Sequence, residues 1–368
     1  GREVVLVEKE PYLGGRVAQF STYFPKLCPP SCGLEINYRR IRSNPRVRIY
    51  TGAEVGRISG KMGHFSVDIS LSARLINNYC NSCGRCAVVC PEGAAFVGGE
   101  LVYPMKYHID PDKCNRQDCA KCMELCEFNA IQLEAERGEI HLQASRVIMA
   151  YGWDINYASR LEDYAYASDA DVITSLEFEE MMRAARGDNK PLARPSDGKL
   201  PGRVAFVQCA GSRDVNHLPY CSAVCCSASL KHSLSLEEMA KEFQSEIFYI
   251  DLRLSGRNEK LLRRAENSRQ ISLTKGKVGR IHRGTEGPVV EVEDIGAGGM
   301  LEKEFDMVVL ALGLVPRPIQ GNMAMNPEGF LLEEQEAGLH AAGSCKRPMD
   351  VSSTVKDATA AAIKSMEV

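Results

Sequence analysis

Apolar runs and glycine turns alternate with helix-like segments along this chain of 368 residues. Residues 3 to 8 predict a buried parallel strand that ends in an acid, and a helical stretch follows that reaches Arg42. From residue 47 to residue 70 apolar and polar positions alternate, with turns expected at Gly52 and Gly60, a pattern typical of β-hairpin strands. The first part of the chain therefore predicts an α/β unit with antiparallel strands attached.

A second α/β unit is expected after a break near residue 202. An acidic amphipathic helix and a linker rich in proline, glycine and aspartate occupy residues 161–202. The elements expected next are a strand at 204–208, a helix at 228–243 and a strand at 247–252. This unit ends near Ile295, and the strand 307–313 and a closing helix are expected to return to the first unit. Because strands and helices alternate, the sheets should be mainly parallel.

Charge and hydropathy exclude two classes of partner. The formal net charge is −3 with no basic block, so a nucleic-acid or anionic-membrane surface has no electrostatic basis. The longest apolar runs, such as 308–315, are far shorter than the roughly 20 residues of a spanning helix. Any membrane contact is therefore expected to go through a partner. The chain opens on Gly1 with no signal-peptide pattern, and we expect a piece of the N-terminus to precede it.

Cysteine usage points to metal ligation. The chain has 15 cysteines, with a dense group between Cys80 and Cys126. Disulfides need an oxidising compartment, whereas regular clustering without a signal peptide favours metal binding in a reducing one. We therefore expect a cytoplasmic protein.

Two cysteine runs predict a ferredoxin module. The first has the spacing C-x2-C-x2-C-x3-C-P and the second is a C-x4-C-x2-C-x3-C variant, as in proteins with two clusters. By analogy, one [4Fe–4S] cluster takes Cys80, Cys83, Cys86 and Cys126, and the other takes Cys114, Cys119, Cys122 and Cys90. The longer gap at residues 115–118 leaves the type of the second cluster open. Structural zinc also uses C-x2-C pairs but does not need the first run.

A third cysteine group lies between a predicted strand and a predicted helix: Cys209, Cys221, Cys225 and Cys226. A two-domain flavin disulfide reductase carries its second glycine fingerprint at this point, where glycines let the pyrophosphate approach the helix N-terminus. Thiolates in place of those glycines predict a further [4Fe–4S] cluster instead of NAD(P)H. The alternative is four buried free thiols, since cysteine packs well in cores.

Several acids and glycines indicate an FAD site. An acid at the end of a strand, Glu8, is suited to the adenosine ribose, and Gly14 and Gly15 would let the backbone approach the cofactor. The segment 338–344, followed by a helix near Asp350, resembles the C-terminal flavin motif of the glutathione-reductase class. The full set of expected FAD contacts is Glu8, Lys9, Gly14, Gly15, Arg16, Val55, Gly152, Gly313, Gly343, Ser344, Asp350 and Val351. The first glycine fingerprint should precede Gly1.

Taken together, these motifs resemble the A-subunit family of heterodisulfide reductase over essentially the whole chain. The most specific segment is residues 208–214 with Cys221 and the adjacent pair Cys225 and Cys226. Within the family, a chain without a C-terminal ferredoxin extension is most similar to the A-type subunit of the quinone-interacting membrane-bound oxidoreductase complex of sulfate reducers. The resemblance implies sister subunits as partners, namely a membrane quinone-reactive subunit with a B-type flavin and iron–sulfur subunit. It also implies adenylylsulfate reductase downstream.

The predicted fold class is α/β, a two-domain FAD-dependent disulfide-reductase-like (Rossmann-type) fold with an inserted two-cluster ferredoxin module. The expected segments are 1–72 and 133–202 for the FAD-binding domain and linker, 73–132 for the insertion, 203–300 for the nicotinamide-domain-like unit, and 301–368 for the rest of the FAD domain. The predicted function is electron transfer between FAD and three [4Fe–4S] clusters. The alternatives are an autonomous NAD(P)H-dependent flavin oxidoreductase and an electron-bifurcating subunit of heterodisulfide reductase.

Three cysteines stay ambiguous. Cys28 and Cys32 have a C-x3-C spacing, and they are interpreted either as redox thiols or a cluster ligand near the flavin, or as structural thiols. Cys345 is expected to pack beside the flavin.

Overall fold

The chain folds into strands and short helices joined by long loops. The structure, a computed structural model, describes residues 1–99, 101–116, 119–187, 191–239, 242–319, 323–333 and 335–366. Its strands are β1 (Val4–Glu8), β2 (Val47–Thr51), β3 (Ala53–Lys61), β4 (His64–Leu71), β5 (Ala95–Val97), β6 (Tyr107–Ile109), β7 (Gly138–Ala144), β8 (Val147–Met149), β9 (Trp153–Ile155), β10 (Val172–Thr174), β11 (Arg203–Ala210), β12 (Gln244–Tyr249), β13 (Ile271–Arg283), β14 (Pro288–Asp294), β15 (Gly299–Glu304), β16 (Met307–Leu312), β17 (Leu314–Pro316) and β18 (Leu339–Ala341). Its α-helices are α1 (Ser31–Arg42), α2 (Arg85–Val89), α3 (Lys121–Glu124), α4 (Ser175–Gly187), α5 (Cys225–Met239), α6 (Glu259–Glu266) and α7 (Val351–Lys364).

A seven-stranded sheet forms the core of the second unit, with strand order β10-β16-β11-β12-β13-β14-β15. The first five strands are parallel and the last two add antiparallel. Along β11, Val204 and Phe206 enter one apolar cluster with α4 and α5, while Ala205 and Val207 enter a second cluster on the opposite face. Burial on both faces explains why this strand is apolar at nearly every position.

The FAD-type half is built on the antiparallel sheet β3-β4-β7. Two parallel ribbons, β1-β2 and β18-β8, pack against the core of this sheet. Val7 of the first ribbon and Val147 of the second contact the same cluster, which includes Val67 and Ile69. The ends of β1 and β8, where cofactor residues are expected, are therefore supported by one sheet.

The cysteine-rich module leaves the first sheet after β4 and returns at β7. These two strands pair antiparallel, with Leu71 opposite Gly138. The module has its own apolar core around Leu75, Ala94 and Ile131, and six of its cysteines pack against that core. It is thus an insertion between two neighbouring strands.

A tyrosine clamps the inserted module to the glycine turn of the FAD-type half. The Tyr38 hydroxyl lies 3.0 Å from the Leu13 carbonyl oxygen and 2.8 Å from that of Leu101. Leu13 and Tyr103 also exchange backbone hydrogen bonds of 2.8 and 3.1 Å. Burial raises the pKa of Tyr38 to about 12, so the hydroxyl keeps its proton and can donate.

Replacing Tyr38 by phenylalanine should lower the free energy of unfolding by about 1 kcal/mol, because two partly buried carbonyl groups lose a donor. Denaturant unfolding followed by circular dichroism measures this change. Tyr79→Phe is the matched control, since the Tyr79 side chain is exposed and its change should have little effect. Equal effects of the two substitutions would contradict the role of Tyr38.

The structure corrects three local predictions. Gly60 lies inside β3, opposite Phe65, and the hairpin turns at residues 62–63 instead. The strand β16 does not return to the first unit, since it pairs with β11 in the seven-stranded sheet. Its other partner, β10, was expected in the FAD-binding segment 133–202 but belongs to the same seven-stranded sheet. The helix expected at 228–243 begins earlier, at Cys225. Across the described part of the chain, the structure contains no helix with the length and apolarity needed to cross a bilayer.

Candidate cofactor sites

Thiols from both cysteine runs of the inserted module line one cavity. Cys80, Cys83, Cys86 and Cys126 line one cavity together with Cys122, Leu125 and Phe128. Burial, reinforced by the neighbouring Cys80, raises the pKa of Cys86 to about 11. A metal centre that binds the thiolate would remove this penalty by taking the place of the proton.

Cys122, which also lines the first cavity, lies near Cys90, Cys114 and Cys119. Burial raises the pKa of Cys114 and of Cys122, and the negative charges of neighbouring Cys90 and Cys119 raise both further. The two halves are related in detail: the Ala94 amide donates to Cys90 Sγ at 3.2 Å, and the Ala130 amide donates to Cys126 Sγ at 3.4 Å. Both bonds join residue i to i+4, and this equivalence favours two similar centres.

The donor set fits iron–sulfur clusters. Four thiolates per group are soft ligands of the kind that bind Fe–S clusters or zinc. Within the described ranges, no three His, Cys, Asp or Glu side chains converge closely enough to hold a single metal ion. The first group surrounds a cavity, which is the arrangement that a cubane requires of its ligands.

The end of β11, the loop after it and the start of α5 assemble the third cysteine group. Cys209 lies in β11 at the register shift between Val207 and Ala210 and has φ 56°, while Cys225 and Cys226 occupy the first turn of α5. Burial raises the pKa of Cys225, and the nearby thiols Cys226, Cys209 and Cys221 raise it further. The structure thus brings all four predicted thiols together.

Polar groups beside this third group lack partners. Both side-chain amide atoms of Gln208 and the Ser212 hydroxyl are buried without a hydrogen-bond partner among the described residues. Such groups are destabilising unless a ligand satisfies them. A cluster whose sulfides accept hydrogen bonds would suit the Ser212 hydroxyl and the Gln208 side-chain nitrogen, whereas Gln208 Oε1 needs a donor.

The predicted FAD acid and arginine face a shared charged network. Burial raises the pKa of Glu8 at the end of β1, and Arg317 opposes this shift. Arg16 contacts Asp154 at 2.7 Å and lies over the Trp153 ring at 4.6 Å, while Arg317 reaches Asp154 at 3.1 Å. The end of β1 and the β9 segment therefore border one polar region.

The five predicted glycines divide into two kinds. Gly15 and Gly152 have φ values of 53° and 74° and a side chain at either would point into open space, as a cofactor cradle requires. Gly14 packs against Tyr38 and Ala18, Gly343 against Thr354, and Gly313 against Ser212 and Ser222 of the third cysteine loop. Internal packing accounts for these three glycines.

The C-terminal motif forms a turn and a capped helix. Asp350 caps α7 by accepting from the Ser353 amide at 2.7 Å, and Val351 is the first helical residue. The Gly343 amide donates to Asp357 at 2.6 Å, and Ser344 Oγ lies 3.3 Å from Thr354 Oγ1. The turn is thus fixed to the first two turns of the helix.

The other predicted residues have plain structural roles. Lys9 pairs with Glu54 at 3.2 Å on the surface, and Val55 packs against the core of the β3-β4-β7 sheet. Cys345 is buried and its thiol lies 3.3 Å from the Met149 carbonyl. The exposed Cys32 and the half-buried Cys28 both lie near Tyr23, whose pKa they raise after the larger effect of burial.

Sequence reasoning missed a buried ionic network. Glu179 on α4 binds Lys231 and, at 2.5 Å, His232 Nε2, both on α5. It also accepts from the Ser21 amide at 2.7 Å, and Lys231 Nζ donates to the Thr22 carbonyl at 3.1 Å. Each of the three side chains is less than 10% exposed. The signal was available, because Glu179 stands between Phe178 and Met182 on α4, and Lys231 and His232 stand among small and apolar residues of α5.

The fold is shared with known structures. Thioredoxin reductase of T. acidophilum has a TM-score of 0.53 at 13% identity, covering 99% of this chain and 89% of that one. Lactococcus lactis thioredoxin reductase has a TM-score of 0.52 at 12% identity, covering 100% and 92%. The 4Fe-4S dicluster domain family matches residues 79–138. The predicted fold class, a disulfide-reductase-like α/β fold with an inserted dicluster module, is confirmed.

The sequence relatives are more specific. The iron-sulfur A subunit of CoB–CoM heterodisulfide reductase from Methanocaldococcus jannaschii is 35% identical over 98% of this chain, and its counterpart numbered 2 in Methanopyrus kandleri is 34% identical over 99%. A third relative, the A subunit of the H2:CoB–CoM heterodisulfide,ferredoxin reductase of Methanothermobacter thermautotrophicus, is 31% identical over 99%. The chain spans 60% of the length of each. It is a homologue of the heterodisulfide reductase A subunits.

Proposed function

We propose that this chain is the FAD- and iron–sulfur-containing electron-transfer subunit of a multi-subunit oxidoreductase. The observation that carries the proposal is the third cysteine group, which stands where a nicotinamide-binding domain would have its glycine fingerprint. Together with the two groups in the inserted module, it supports three [4Fe–4S] clusters. These thiols lie in both halves of the fold.

The chain's own residues would hold and shield the cofactors. The flavin, when bound, supplies exchange of two electrons on one side and single electrons on the other. Glu8, Gly15 and Gly152 border the space proposed for it. The twelve cysteines provide thiolates, and burial of Cys226 and half-burial of Cys225 limit water at the third group. Lower water access is one of the features that set a cluster's potential.

The heterodisulfide reductase type is the favoured complex. The relatives named above are heterodisulfide reductase subunits, and their names support the bifurcating alternative more than a link to adenylylsulfate reductase. The quinone-interacting complex, with B-type and membrane partners, stays a finer proposal that rests on the sequence resemblance. Mass spectrometry of co-purified subunits distinguishes a heterodisulfide reductase complex from the quinone-interacting complex. A membrane quinone-reactive partner would support the quinone-interacting complex.

An autonomous NAD(P)H-dependent flavin reductase is the competing function. It is disfavoured because Cys209 and its neighbours stand where a nicotinamide-binding domain would have its glycine fingerprint. Rapid bleaching of the flavin by NADH or NADPH alone would favour this competing function.

Metal and flavin analysis tests the proposal. Protein purified without oxygen should contain about 12 iron atoms and one FAD, four iron atoms for each of three clusters. Plasma emission spectrometry and flavin absorbance measure the ratio. A reproducible value of about eight iron atoms per chain would show that the third cysteine group holds no cluster. Bound zinc would contradict the ferredoxin assignment.

A further inference from the structure

Two arginines and one aspartate form a charged group beside the third cysteine set. The Asp251 carboxylate binds the Arg213 guanidinium through one oxygen and Arg253 Nε through the other, the latter at 3.1 Å. Asp251 follows the end of β12, and Arg213 belongs to the loop that follows Cys209 and β11 and carries Cys221. The Arg213 amide donates to the Tyr220 carbonyl at 3.2 Å, next to Cys221. The group is therefore tied to both sides of the cysteine loop.

Both guanidinium groups face thiols of that loop. The Arg213 side chain lies within electrostatic range of the Cys209 thiol, and the Arg253 side chain lies within electrostatic range of Cys221. Cys226 Sγ lies 3.9 Å from the Asp251 carbonyl oxygen. Three of the four thiols therefore lie near this group.

The arginines differ in their exposure to water. The Arg213 side chain is 23% exposed, whereas that of Arg253 is 50% exposed. Water and salt screen a charge more strongly as its exposure increases. Arg213 should therefore act more strongly than Arg253 on any charge held by the cysteines.

We propose that Arg213 and Arg253, positioned by Asp251, raise the reduction potential of the cluster that Cys209, Cys221, Cys225 and Cys226 hold. This inference rests on the proposed function. A cluster bound by four thiolates carries net negative charge, and one-electron reduction adds another negative charge without making or breaking a bond. Adjacent cations stabilise the reduced form more than the oxidised form, because attraction grows with charge. Asp251 holds the two cations at the loop.

A redox titration of the full chain, followed by electron paramagnetic resonance, tests this role. The signal of the third cluster is the one that Cys225→Ser abolishes. Arg213→Gln should lower the midpoint potential of this cluster by about 59 mV, which corresponds to a tenfold decrease in the equilibrium constant for one-electron reduction. Arg253→Gln should lower it by less, and Arg213→Lys should retain most of the original value. Arg264→Gln is the control: this exposed arginine on α6 pairs with Glu238 at 3.2 Å and loses the same charge.

The outcomes separate the two hypotheses. An unchanged potential in Arg213→Gln and Arg253→Gln, with the signal intact, would overturn the tuning role and leave the proposed function standing. If the unmodified protein shows no resonance signal from a third cluster, both the tuning role and the proposed function are overturned. If Arg213→Gln loses the cluster, the test depends on the more exposed Arg253. Equal changes of midpoint potential in Arg253→Gln and Arg264→Gln would then contradict the proposal.

Discussion

Replacing Lys231 by methionine should lower the free energy of unfolding by about 3–5 kcal/mol, because removal of one partner leaves a buried charge uncompensated. Lys231 and Glu179 are both almost completely buried, and the lysine also donates to the Thr22 carbonyl at 3.1 Å. The network joins the loop after Gly15 to α4 and α5, so its loss weakens the contact between the two halves of the fold. Urea unfolding with paired fluorescence and circular dichroism measures the change.

The same network makes stability fall on acidification. Burial lowers the pKa of His232, and the nearby Lys231 lowers it further, so its contribution is present above about pH 6.5 and is lost as the pH falls below it. Lys231 and His232 hold the pKa of Glu179 below its ordinary value against the opposing effect of burial, so its contribution declines below about pH 4.5. The unfolding free energy of the unmodified protein should decrease from pH 7 to pH 4, and less steeply in Lys231→Met.

Lys260→Met is the control for the buried substitution, since Lys260 is exposed on α6. Removing Lys231 and Glu179 together should destabilise by less than the sum of the single changes, because the two side chains interact. A loss in Lys231→Met no larger than in Lys260→Met would show that the network does not hold the halves together.

Cys225→Ser should remove the third cluster completely while FAD stays bound. An oxygen ligand is a poor substitute for sulfur at a soft iron site, and the flavin residues lie on other elements. Iron should fall from about 12 to about 8 atoms per chain. Stopped-flow absorbance with the partner subunits should show that flavin reduction slows by more than tenfold, as electrons would lose a protein-borne route.

The matched change is Cys345→Ala, which removes a buried thiol outside the three groups. It should keep all of the iron. Full iron content in Cys225→Ser, or rapid flavin reduction by NADH in either variant, would contradict an electron route through Cys209 and its neighbours.

The sequence was sufficient to predict those sites whose ligands follow a short, regular spacing. The two cysteine runs predict the dicluster module because three ligands lie within one short loop, and the family match over residues 79–138 agrees. The strand before Cys209 and the helix after it were also predictable from periodicity. Local signals of this kind need no knowledge of distant contacts.

Pairing between strands that are distant in sequence could not be predicted from local sequence patterns. The apolar strand β16 could close either half of the fold, and only its pairing with β10 and β11 assigns it to the second sheet. Gly60 and Gly63 are equally good turn signals, but the register that places Gly60 opposite Phe65 moves the turn to Gly63. The partners of Glu179 lie 52 and 53 residues away, on another helix.

The point of insertion has a consequence for how such a protein could arise. The chain leaves the first sheet at Leu71 and re-enters it at Gly138, and these residues face each other across two paired strands. A hairpin turn of two to five residues would span the same gap. A dicluster module could therefore have been added to an ancestral flavoprotein at one loop, without a change in strand order or core, and the acquisition would have required only a surface that fits Leu13 and Tyr38.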